Sequence, residues 1–258
     1  MTAGCANPPI DRARRTLLLG SIGALVAAAW LALWLWSDPA RSFTLHAHDA
    51  GFHSVSFVYR LSIVVLGWTI MTMAMMLPTT FPVIALFHTL AGERRDLVLL
   101  VTLVIAGYLA IWAAFGVAVY AGHAVLAGLF DATARSADRL WLGGAPVLLV
   151  AGAYQFTSLK YRCLEKCRSP LSFVIQHWQG ERNRLQAFRL GIDHGLFCVG
   201  CCWTLMLLMF VTGLGSLAWM FALAAVMAIE KNVSWGRRIS APLGVVLLIC
   251  GVLVAALA

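Results

Sequence analysis

Charge is what this sequence has least of. Only 12% of its 258 residues are Asp, Glu, Lys or Arg, while 61% are hydrophobic and the mean hydropathy is +0.85. A water-soluble globule of this size cannot bury that much apolar surface, so the composition excludes one and predicts an integral membrane protein. Also missing are a glycine loop to cradle phosphates, a serine triad and a zinc-protease helix motif, which leaves enzymatic turnover the least supported reading. No internal repeat and no low-complexity tail interrupts the chain. A single helical membrane domain over residues 1–258 is therefore expected.

Acidic residues number 11 against 19 Lys and Arg, for a net charge of +8. The basic residues stand between apolar runs and not on one polar domain. That placement fits loops at an anionic bilayer surface and argues against a nucleic-acid partner.

Apolar runs near the ~20 residues that cross ~30 Å of hydrocarbon fall at 17–36, 61–87, 97–122, 142–159, 195–213, 217–229 and 242–257. They predict an all-α polytopic bundle of about seven spans. Because the sixth run is short, six spans plus a re-entrant segment is the alternative. The basic patch Arg12, Arg14 and Arg15 before the first run is signal-like, but the run is long and lacks a small-x-small cleavage site, so a retained helix is expected. With seven spans, fifteen of the nineteen basic residues share one side. The positive-inside rule then puts the N-terminus in the cytoplasm and the C-terminus in the periplasm of a bacterial inner membrane. Residues 171–190, apolar at first and polar later, read as an interfacial segment on the cytoplasmic side.

Seven cysteines is an odd number, and Cys5 and Cys250 stand apart. The other five form two groups, Cys163 with Cys167 and Cys198 with Cys201 and Cys202, unlike the even, dispersed spacing of a disulfide scaffold. On a helix His194, Cys198, Cys201 and Cys202 fall at i, i+4, i+7 and i+8, which is one stripe. Over this stretch the helix rises roughly 12 Å, from the interface into the inner leaflet. Cys163 and Cys167 are one turn apart and, in this topology, at the same inner face. A bare thiolate in hydrocarbon is costly and a bound cation offsets that cost. Reducing cytoplasm disfavours lasting disulfides, which leaves a soft metal or a redox-active dithiol. Thiolates suit Cu(I), and four N or S ligands would suit Zn(II), so copper is the favoured metal and zinc the alternative.

Thioethers bind Cu(I) without losing a proton, so Met75, Met76, Met206 and Met209 are candidates for a metal path, against a simpler role as packing. Glu230 is a candidate proton acceptor or partner of the metal ligands, or a local partner of Lys231. His46 and His48 form a His-x-His pair in the first outer loop that could capture metal outside.

The segments 73–78 (Met-Ala-Met-Met-Leu-Pro), 159–170 (with Cys163 and Cys167), 194–206 (with Cys-x-x-Cys-Cys-Trp) and Glu230-Lys231 resemble those of a bacterial family of predicted metal-binding integral membrane proteins. The resemblance runs from about Leu61 to Leu257 and rests mainly on the double-cysteine motif. It implies helical membrane topology and metal binding by the same cysteines, and it implies no reaction. No motif of the family extends to His46 or His48.

The leading expectation is an inner-membrane protein that binds copper through Cys198, Cys201 and Cys202, with Cys163, Cys167 and His194. It would transport the ion or deliver it to a membrane metalloenzyme or metallochaperone, its partners being the bilayer and the metal. The rivals are a membrane thiol–disulfide oxidoreductase and a structural subunit or assembly factor of a membrane complex.

Overall fold

The computed structural model describes residues 9–36, 56–92, 95–130, 136–178, 183–212 and 216–257, and the regular structure among them is helical. In chain order the helices are α1 (Pro9–Trp36), α2 (Phe57–Met76), α3 (Phe81–Ala91), α4 (Leu97–Phe130), α5 (Ser136–Tyr154), α6 (Ser158–Arg168), α7 (Pro170–His177), α8 (Asn183–Thr212), α9 (Leu217–Asn232) and α10 (Ser240–Ala256). Short 3-10 turns, Leu77–Thr80 and Gly236–Ile239, join α2 to α3 and precede α10. The all-α expectation holds.

Five stretches are long and apolar enough to cross a membrane: Leu19–Trp36, Val58–Ala91, Leu97–Gly122, Arg184–Met209 and Gly236–Ala256. They correspond to five of the seven expected runs. The other two are the shorter apolar piece Gly144–Tyr154 of α5 and the 16-residue α9. One difference bears on the site. The fifth run was expected to begin at Gly195, but α8 starts at Asn183, so His194 and the cysteines lie well inside a 30-residue helix. Of the described residues in 171–190, those up to His177 belong to α7 and those from Asn183 form the first turns of α8.

Pro78 explains the break after α2. Proline has no N–H to give the carbonyl four residues back, and its ring crowds that carbonyl. The carbonyl concerned is that of Ala74, and it accepts instead from Trp30 Nε1 of α1 at 3.0 Å. The Met76 and Leu77 carbonyls, at the turn itself, accept from the hydroxyls of Thr79 and Thr80 at 2.7 Å each.

Glycines set the nearest approaches. On α8 Gly191 faces the backbone of α4 at Val104 and Tyr108, and on α4 Gly107 faces the backbone of α8 at Phe188 and Ile192. Gly152 of α5 meets Gly244 and Leu248 of α10 in the same way. The outward faces stay apolar: on α10, Val245, Val246, Ile249, Val252 and Leu253 are exposed while Gly244, Leu247 and Gly251 face inward. The innermost cluster gathers Cys163, Cys167, Cys198, Cys201 and Cys202 with Met71, Met75, Met76, Met206, Met209, Met220 and Met227, bordered by Trp68, Tyr108 and Trp112.

Candidate metal centre

Two helices, α6 and α8, bring the cysteines together. Thr157 caps α6, accepting from the Lys160 N–H at 3.3 Å, and the inward face of that helix is Lys160, Cys163, Leu164 and Cys167. From α8 come Cys198, Cys201 and Cys202, all buried. Gly200 lets the two helices close: a Cβ there would lie 2.6 Å from Cys163 Sγ, and its carbonyl accepts from the Tyr154 hydroxyl at 2.5 Å.

The stripe on α8 does not act as one face. Adjacent residues on a helix point about 100° apart, and the surroundings pull Cys201 and Cys202 to different neighbours. Cys201 Sγ lies 4.0 Å from Cys167 Sγ of α6. Cys202 Sγ lies 3.8 Å from Met76 Sδ, at the end of α2. Cys198 Sγ is 3.1 Å from the Tyr108 hydroxyl of α4. Both Cys201 and Cys202 donate back to the Cys198 carbonyl, at 3.1 and 2.8 Å. Every cysteine among the described residues is a free thiol.

Between the sulfurs of Cys198, Cys202 and Met76 stands a cation that the sequence offered only as a local partner of Glu230. Lys231, at the end of α9, directs its Nζ to Cys198 Sγ at 3.0 Å, Met76 Sδ at 3.7 Å and Cys202 Sγ at 3.8 Å, with Thr79 Oγ1 at 3.4 Å. Lys231 is buried. Two thiols and a thioether thus converge on one positive charge. Among the described residues no group of three His, Cys, Asp or Glu side chains is arranged to hold a metal ion. The convergent sulfur set includes a methionine, and that donor chemistry suits a soft ion.

Glu230 has other partners than Lys231. Its carboxylate accepts from Lys160 Nζ at 2.8 and 3.0 Å and from Ser240 Oγ at 2.6 Å. Gln155 takes a further bond from Lys160. Arg168 donates to the Glu230 carbonyl at 2.5 Å and to the Ser234 carbonyl at 2.8 Å, serving acceptors that the end of α9 leaves without helical donors. The helix bearing Cys163 and Cys167 is thereby clamped to the helix bearing Lys231. Lys160, three residues before Cys163, was unread in the sequence. A lysine at the interfacial end of an apolar run reads as snorkelling, and the signal available was its place on the cysteine face of α6.

His194 is buried one turn before Cys198, its ring stacked on Tyr108 at 5.7 Å and tilted against Phe173 at 5.5 Å. Its Nδ1 has no hydrogen-bond partner among the described residues, and the side chain lines a small apolar cavity with Leu77, Thr80 and Tyr108. Of the methionine candidates, Met76 reaches the sulfurs, while Met75, Met206 and Met209 are buried in the same cluster. His46 and His48 lie outside the described residues. On α6, outside the apolar spans, burial pushes the Cys163 thiol up from its ordinary value. The hydrogen bond with Cys201, and then burial, push Cys167 up further. Both are neutral thiols at pH 7, and each gives up a proton when it binds a metal.

Comparison with known proteins adds one match. The sequence model of a family described as a copper chaperone, PpoB2, matches residues 65–254, and that interval contains every cysteine of the cluster together with Met76, Lys160 and Lys231. No curated protein and no solved structure matches the chain. The matched interval covers well over half of the sequence and speaks for copper binding or delivery, with nothing in it favouring zinc: this chain belongs to the PpoB2 copper chaperone family.

Proposed function

We propose that the protein is a bacterial inner-membrane copper carrier that holds Cu(I) as cargo and passes it to a metalloenzyme or a second chaperone. One observation carries the reading: Cys198, Cys202 and Met76, from two helices distant in sequence, turn their sulfurs toward a single cation at 3.0–3.8 Å. Cys201 with Cys167 and Cys163 supplies a second group of sulfurs across α8, and His194 supplies a nitrogen one turn away. Thiolate and thioether are the donors that favour Cu(I). The distribution of basic residues supports a site open to the cytoplasmic side, with the N-terminus inside. The outward apolar faces of the long helices support residence in a bilayer.

The test is metal analysis of the detergent-purified chain loaded with Cu(I), beside a Cys198→Ser/Cys201→Ser/Cys202→Ser variant. The wild type retains copper and the variant loses it. Equal copper in both sinks the reading.

The 4.0 Å separation of Cys167 and Cys201 favours a second reading, thiol–disulfide exchange. A disulfide needs the sulfurs at about 2.05 Å, so these two have to approach by about 2 Å. It predicts a reversible two-electron titration in metal-free protein that disappears in Cys167→Ser. Thiols that stay reduced in a mild disulfide buffer rule it out.

A further inference from the structure

The sulfur cage already contains a positive charge, and it is covalently part of the protein. Lys231 Nζ has four partners among the described residues, Cys198, Cys202, Met76 and Thr79, and none is a carboxylate. Its sequence neighbour Glu230, the obvious counter-ion, is taken up by Lys160 and Ser240. A buried ammonium in a low-dielectric interior needs compensation, and here polarisable sulfur provides it.

We propose that Lys231 is the cage's own cation and that copper loading displaces it, so that ammonium and Cu(I) contend for the same sulfurs. This rests on the reading of the cage as the copper site and adds how that site is filled and emptied. A metal–thiolate bond is about 2.3 Å, so sulfurs standing 3.0–3.8 Å around a common point need to draw in by roughly 1 Å to bind an ion there. The ion and the nitrogen claim one volume. Loading exchanges N–H···S hydrogen bonds for metal–sulfur bonds. The ammonium keeps its proton as it swings out on its four methylenes, and any thiol proton released goes to water. Each thiol that becomes a ligand loses its proton as the ammonium leaves, so the cage goes from one positive charge to none with one thiolate and to one negative charge with two. Thiolate and thioether donors, and not the charge count, favour a soft monovalent ion here. Release runs in reverse: the ammonium, tethered at the end of α9, is always on hand to refill the cage when a recipient draws the copper away.

The experiment is anaerobic Cu(I) titration of the full-length chain in detergent against a colorimetric Cu(I) chelator, comparing wild type, Lys231→Leu and Lys231→Arg. Release to excess chelator is timed in the same samples. With the competitor gone, Lys231→Leu binds Cu(I) about tenfold tighter or more and releases it correspondingly more slowly, while Lys231→Arg shows no gain. Should Lys231→Leu not be recovered folded, Lys231→Gln supplies the same neutral arm. Unchanged or weaker copper binding in the neutral variants overturns the proposal, because the ammonium would then be a bystander or a support of the thiolates. A Cys198→Ser/Cys202→Ser variant run alongside separates the two readings. If it holds copper as the wild type does, the assignment of the cage fails. If it loses copper while Lys231→Leu gains nothing, only the displacement fails.

Discussion

Lys160 Nζ and Glu230 Oε1 lie 2.8 Å apart, joined from positions 70 residues distant in sequence, with side chains 0% and 2% exposed. The pair ties α6 to α9 and, through Ser240, to the start of α10. Breaking one side of a buried pair leaves the other charge uncompensated. Glu230→Gln or Lys160→Met should each destabilise the protein by about 3–5 kcal/mol, and Lys160→Met/Glu230→Leu together by much less. Thermal unfolding in detergent, read as a double-mutant cycle, measures the coupling. Additive losses would show that the pair does not act as a unit.

The two sulfur groups on either side of α8 are separable by mutation. Cys198→Ser/Cys202→Ser removes the thiols that face Met76, and Cys167→Ser/Cys201→Ser removes the other pair. The first variant should lose tightly held Cu(I) and the second should keep it with fewer sulfurs around it, as counted by X-ray absorption. Met76→Leu keeps the volume and deletes the thioether, so it should weaken copper binding about tenfold without altering the melting temperature appreciably.

Copper affinity should rise with pH. Burial holds Cys163 neutral, and its hydrogen bond with Cys201, then burial, hold Cys167 neutral beyond the ordinary thiol range. Binding at either thiol expels a proton, so between pH 6 and 8, which lies below both raised values, affinity gains about tenfold per unit for each proton released. The metal-free fold responds oppositely. A raised thiol value contributes stability below the ordinary thiol range and loses it as pH climbs through the raised value. Chelator titrations at several pH values give the proton count as a slope. A flat profile would mean that neither α6 thiol is a ligand.

Gly200→Ala tests how closely α6 must approach α8. The added methyl would stand 2.6 Å from Cys163 Sγ, so the sulfur has to move. A loss of about 1–3 kcal/mol is expected. It should be accompanied by faster alkylation of Cys163 than in the wild type. Unchanged alkylation would indicate that Cys163 turns aside within its own space.

Much of this was legible in the residues. Low charge and long apolar runs suffice for an all-helical chain with stretches long and apolar enough to cross a membrane. The two cysteine groups were legible as a pair of helical patches, and α6 and α8 bring them into one buried cluster. The facing of the stripe was not legible: whether Cys201 and Cys202 share a neighbour depends on what packs to each side of α8, and periodicity carries no such information. Lys231 and Lys160 were hidden for a related reason. A lysine at the end of an apolar run has a cheap explanation in the interface, so only the tertiary partner distinguishes a snorkelling side chain from one turned inward. Glu230 was singled out, yet its partner is the lysine 70 positions away and not its neighbour.

The gap that Pro78 leaves in the ladder of α2 also fixes α1. Trp30 bonds the Ala74 carbonyl at 3.0 Å, an acceptor that is available because proline cannot occupy it. Straightening α2 with Pro78→Ala would offer Ala74 a main-chain donor and set it in competition with the indole. The same straightening would pull Met76 away from the turn that aims its sulfur at Cys202. Anchorage of the first helix and orientation of a sulfur donor therefore share one imino acid. Repairing the helix would loosen both.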